Sequence, residues 1–107
     1  MRVRLGAVVT GVCLSLAFCS MALAETGEEI FKKRCAGCHG ANGAGETMIG
    51  KHLKERDLRS PEVQKQSDDE LTNIIRRGNP GRMPAYESKL TKEQIAELVK
   101  FVRTLKK

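Results

Sequence analysis

Apolar and charged positions alternate in blocks from residue 26 onward, and three of the blocks have helical spacing. The last is the clearest: in KEQIAELVKFVRTLKK, Ile95, Leu98, Val99, Val102 and Leu105 form one stripe, with Phe101 extending it on one side. DDELTNIIRR, residues 68–77, predicts a second helix ended by Gly78, and GEEIFKKRCA, residues 27–36, predicts a first. Each starts after a hydroxyl residue followed three positions on by Glu or Gln: Thr26 with Glu29, Ser67 with Glu70, Thr91 with Gln94. That spacing lets side chain and backbone satisfy each other's free donors at a helix start. Ser60-Pro61 suits a short helical turn. The run 41–50, with Gly43, Gly45 and Gly50, favours a loop, as does GNPGRMPAY at 78–86. No run keeps a two-residue alternation, so the expected class is all-α with no sheet.

The first residues belong to a different kind of segment. Arg2 and Arg4 precede an apolar stretch from Leu5 to Phe18, followed by Ala22-Leu23-Ala24, the layout of a cleaved secretory signal peptide. Residues 1–24 are read as that signal and residues 25–107 as one domain of 83 residues. The alternative is an uncleaved anchor from Leu5 to Ala24, 20 residues long and just able to span a bilayer.

Export changes the charge and the cysteine count. Loss of Arg2 and Arg4 lowers the net charge from +6 to +4, seventeen basic residues against thirteen acidic ones. So mild an excess, with no tryptophan and only Phe31, Tyr86 and Phe101 as aromatics, argues against nucleic-acid binding. Cys13 and Cys19 leave with the signal, so Cys35 and Cys38 are the remaining thiols. A domain this small buries only about 60% of its unfolded surface. One disulfide is modest compensation.

Cys35, Cys38 and His39 read C-x-x-C-H, the attachment signature of c-type haem. Residues three apart on a helical turn face one side, so both thiols can reach the two vinyl groups of one porphyrin. His39 can then turn its imidazole under the iron. A zinc site would have only Cys35, Cys38, His39 and His52 as thiol or imidazole donors, at the wrong spacing for a finger. A redox dithiol would sit in a βαβ pattern, which the chain lacks. The candidates for the iron's other axial position are Met83, Met48 and His52.

Residues 26–105 resemble the class I mono-haem cytochromes c, especially the small bacterial carriers. The resemblance rests on C-x-x-C-H, on Met83-Pro84-Ala85-Tyr86 as the family's M-P-x-aromatic loop, and on Gly27, Phe31, Leu98 and Phe101 as the contact between terminal helices. It implies three main helices plus short turns wrapped around one haem c, attached through Cys35 and Cys38 and ligated by His39 and Met83. Where the family often has Gly-Pro-x-Leu this chain has Gly50-Lys51-His52-Leu53, so the Lys51 carbonyl is the expected acceptor for the His39 ring proton. Met48 is then packing or surface, and His52 a solvated histidine.

The resemblance further implies a periplasmic, monomeric one-electron carrier between respiratory redox proteins, meeting membranes only through partner complexes. Basic residues Lys32, Lys33, Arg34, Arg76, Arg77 and Arg82 would steer it toward acidic docking surfaces. Two rival readings follow from the same residues: a haem enzyme or gas sensor with a vacatable sixth position, and a membrane-tethered subunit of a respiratory complex.

Overall fold

The computed structural model describes residues 24–105 together with Gly6 and Gly11. The rest of the predicted signal segment lies outside the described residues. Six helices follow in order: α1 (Gly27–Arg34), α2 (Ala36–His39), α3 (Met48–His52), α4 (Pro61–Gln64), α5 (Asp68–Arg77) and α6 (Lys92–Thr104). The described residues contain no strand, only a single antiparallel bridge between Asn79 and Met83.

The three longest helices stand where the spacing predicts them. Ser67 and Thr91 each complete both halves of the reciprocal cap with Glu70 and Gln94. Thr26 makes one half, accepting from the Glu29 N–H at 3.2 Å. The first helix is shorter than expected because the backbone breaks at Cys35, φ −115° and ψ −36°. Cys38 N–H (3.2 Å) and His39 N–H (2.9 Å) both turn to the Cys35 carbonyl, which starts α2 as a separate turn. Ser60 caps α4 with Pro61 in its first turn.

α3 corrects the expectation of a loop at 41–50. Thr47 accepts from the Gly50 N–H at 2.9 Å and donates its hydroxyl to the Cys38 carbonyl at 2.7 Å. A hydrogen bond from nine positions away thus sets a helical turn that local composition disfavours.

α6 is the spine. On one side Ile95 and Leu98 join Ile30, Phe31, Tyr86 and Leu90. On the other, Val99 and Val102 meet Val63 and Leu71, and the partly buried Leu58 and Ile75 touch both clusters. Arg103 fastens the end of α6 to the α4–α5 turn through Asp68 Oδ1 (2.9 Å) and the Gln64 carbonyl (2.7 Å).

The tightest joint is α1 against α6. Phe31 and Phe101 rings lie 5.1 Å apart, tilted by 52°. Ile30, Phe31 and Leu98 are essentially sealed from solvent, each burial stabilising by about 1.5–3 kcal/mol. At the crossing, a Cβ on Gly27 would fall 2.1 Å from the Glu97 carbonyl oxygen. Only a residue without a side chain lets the two backbones come so close. Gly27→Ala is therefore expected to destabilise the holoprotein by about 1–3 kcal/mol through forced separation of the helices, read as a lower guanidinium midpoint.

Candidate functional site

The break at Cys35 aims the attachment residues at a common interior. Three cavities of about 80, 30 and 460 Å³ share His39 and Met83 in their walls. Cys35 borders the first two and Cys38 the second. Elsewhere the first cavity is almost wholly apolar, with Leu58, Leu71, Ile74 and Val99 among its walls. Ile74, 41% exposed, owes that exposure to facing this space. Met48 (90% exposed) and His52 lie on the outside of α3 and line none of the three.

His39 ends α2, and its carbonyl accepts from the Gly45 N–H at 2.7 Å. Burial pushes its imidazole below the ordinary value, and the charge of Glu55 works against that shift. The ring is accordingly neutral at neutral pH, the state in which an imidazole binds a metal. Nδ1 is buried without a hydrogen-bond partner, and Nε2 stands 3.9 Å from Glu55 Oε2. That distance is too long for a hydrogen bond. With the imidazole neutral, the contact is no ion pair either. Burial pushes the Cys35 thiol up to about 11, so it stays protonated in the empty fold.

Met83 is held from three sides. Its N–H and carbonyl pair with Asn79 at 2.8 Å each. Gly78, φ +63°, closes α5 where a Cβ would lie 2.4 Å from the Met83 carbonyl oxygen. Tyr86 then ties the loop to the rest of the fold: its N–H reaches the Ile75 carbonyl at 3.1 Å, and its hydroxyl donates to the Arg34 carbonyl at 3.0 Å. Arg34 immediately precedes Cys35, so the methionine loop is bonded to the residue before the cysteine motif.

Two expectations need correction. The Lys51 carbonyl accepts from the Lys54 N–H at 3.2 Å, and His39 makes no bond to it. The leucine that walls two of the cavities is Leu58, whereas Leu53 borders one. The signal for Leu58 was faint, an isolated apolar residue between Asp57 and Arg59, which pair with each other at 3.0 Å. Among the basic residues, Lys32, Lys33 and Arg76 are engaged by Glu28, Glu25 and Glu87. Arg34 and Arg82 border the cavity that Cys38 faces.

The comparisons agree with this geometry. Residues 22–102 match the family described as cytochrome c oxidase, cbb3-type, subunit III. Cytochrome c6 of Nostoc sp. (strain PCC 7120) is 35% identical over 101 residues, 89% of this chain and 86% of that one. A nitrite reductase of Stutzerimonas stutzeri is 32% identical over 87 residues, 74% of this chain, which spans 15% of that protein's length. The solved structure of the KustC0563 c-type cytochrome superposes with a TM-score of 0.73 at 34% identity, covering 78% of this chain and all of that one. The chain belongs to the class I mono-haem c-type cytochromes, with their all-α fold and covalently bound haem c. It is a haem c electron carrier.

The residues present fit that group. The cavities are bounded by a cysteine pair at attachment spacing, a neutral histidine with both ring nitrogens free of hydrogen bonds, and largely apolar walls. Among the described residues no three His, Cys, Asp or Glu side chains cluster as a metal-binding set, so a zinc site has no ligands to complete it.

Tyr86→Phe isolates the strap between loop and motif. It is expected to lower the unfolding free energy of the holoprotein by about 1 kcal/mol, measured by guanidinium titration followed by circular dichroism.

Proposed function

We propose that Cys35 and Cys38 form the thioether links to one haem, that His39 and Met83 are its axial ligands, and that the chain is an exported carrier passing single electrons between redox proteins. One observation carries the ligand assignment: His39 and Met83 share the walls of all three cavities, while Met48 and His52 stand in solvent. The bound haem supplies the redox chemistry, one electron at a time.

The chain's own residues set the conditions. His39, kept neutral by burial, offers a nitrogen lone pair. Met83 offers a soft thioether, which favours ferrous iron and raises the potential relative to a second imidazole. The Asn79 bridge and Tyr86 keep that sulfur's loop in place through both oxidation states. Leu58, Leu71, Val99 and Val102 keep water away from the group. With both axial positions filled by the protein, no position is left for a substrate, which favours a carrier over an enzyme or gas sensor.

Support for export comes from the leader pattern and from where it ends. Ala24 is exposed and Ala24–Thr26 runs without regular structure into α1, so a peptidase has access to the Ala24–Glu25 bond. No helix among the described residues is long and apolar enough to cross a membrane.

An optical redox titration of wild type and Met83→Ala tests the ligand set. The ferric wild type should show a long-wavelength sulfur-to-iron band that the variant loses entirely, and the variant should have a lower midpoint potential and bind carbon monoxide when reduced. A band that survives the substitution removes Met83 from the assignment. Export predicts a mature N-terminus at Glu25, checked by mass spectrometry of the protein from soluble extract; recovery of residues 1–24 on the membrane-bound protein would support the tethered reading instead.

A further inference from the structure

Three large apolar side chains among the described residues stand markedly exposed: Met48 at 90%, Ile49 at 54% and Ile74 at 41%. Ile74 faces the haem cavity. Met48 and Ile49 face nothing in this chain, and they sit side by side on α3. An adjacent exposed pair on so small a domain marks an interaction surface.

The helix is built to hold them outward. Gly50 is the one buried residue of α3, and a Cβ there would lie 2.3 Å from the Cys38 carbonyl oxygen and 2.6 Å from that of Gly45. With Thr47 Oγ1 also bonded to the Cys38 carbonyl at 2.7 Å, the short helix rests on the backbone of the second attachment cysteine. Around the pair, Lys51, Lys54 and Arg56 are exposed, and none has a side-chain hydrogen bond or ion pair among the described residues. Glu46 is the one exposed acid in the segment 46–56, since Glu55 is turned in toward His39.

We infer that the outer face of α3, with Met48 and Ile49 at its centre and Lys51, Lys54 and Arg56 around it, is the docking surface for acidic redox proteins whose contact face has an apolar centre. The inference rests on the carrier reading. An apolar centre with a cationic rim suits a brief encounter: the charges orient the partner, and the small dry contact lets it leave. A second copy of this chain is disfavoured, because a two-fold contact would set three unpaired cations against the same three. A membrane is disfavoured because two apolar side chains on a five-residue helix provide too little area to anchor it.

The test uses the holoprotein with cytochrome b5, a small acidic haem protein, as the probe. One electron passes from ferrous probe to ferric carrier, so the probe is oxidised as the carrier is reduced. Met48→Ser/Ile49→Ser should lower the second-order rate constant at low salt by about fivefold or more, and Lys51→Glu should lower it and flatten its salt dependence. The visible spectrum, midpoint potential and reduction by dithionite should be unchanged in both variants. With both proteins ferric, amide shifts on adding the probe should centre on residues 47–54 in wild type and vanish in the double variant. Rates within twofold of wild type, or shifts centred elsewhere, overturn the surface. So does a wild type that reacts with dithionite but not with cytochrome b5. Loss of a dimer in sedimentation, or of binding to phosphatidylglycerol vesicles, with an unchanged probe rate would reassign the face to self-association or membrane contact. A wild type that cycles with no reagent at all would instead sink the carrier reading.

Discussion

The structure depends on a core that its own side chains leave open. α6 seals one side against α1 through Phe31, Leu98 and Phe101, and on the other it meets only Val63 and Leu71 before the apolar walls part. In an 83-residue domain with three aromatics, no spare side chain is left to close that gap. A flat apolar group attached through two thioethers does so without the translational entropy that a free ligand would lose on binding. Burial of the group and stability of the fold are therefore one quantity.

The same constraint explains why the ligands sit where they do. His39 comes from a helical turn that begins at a backbone break, and Met83 from a loop that would be free to move without Gly78, Asn79 and Tyr86. One ligand is fixed by the covalent motif beside it, the other by hydrogen bonds. The neutral imidazole and the thioether bring no charge of their own into the cavity, so the iron is placed in surroundings that favour its less charged state.

Much of this was legible because the signals are local. Caps at Ser67, Thr91 and Ser60, the apolar stripe of α6 and C-x-x-C-H each depend on residues within a few positions of one another. The Gly27 and Phe31 contact with α6 was legible through family resemblance, and the close approach at Glu97 gives its physical reason. What escaped the sequence depends on distant partners. α3 forms because Thr47 finds the Cys38 carbonyl, Leu58 rather than Leu53 enters the wall because the loop after α3 doubles back to bond Gly43, and the Tyr86 hydroxyl has no partner until Arg34 is beside it. Lys54, at φ 54°, is another such place: nothing about a lysine announces a left-handed turn.

The Tyr86 bond spans 52 positions, and that span has a consequence in time. The Arg34 carbonyl is presented only when α1 has ended and the cysteine motif has turned away from it, so one half of the fold must be in place before the other can latch. Closing so long a stretch of chain is also its slowest entropic step. Maturation then has a direction: the end bearing the cysteines is settled first, and the methionine loop arrives as the closing clasp.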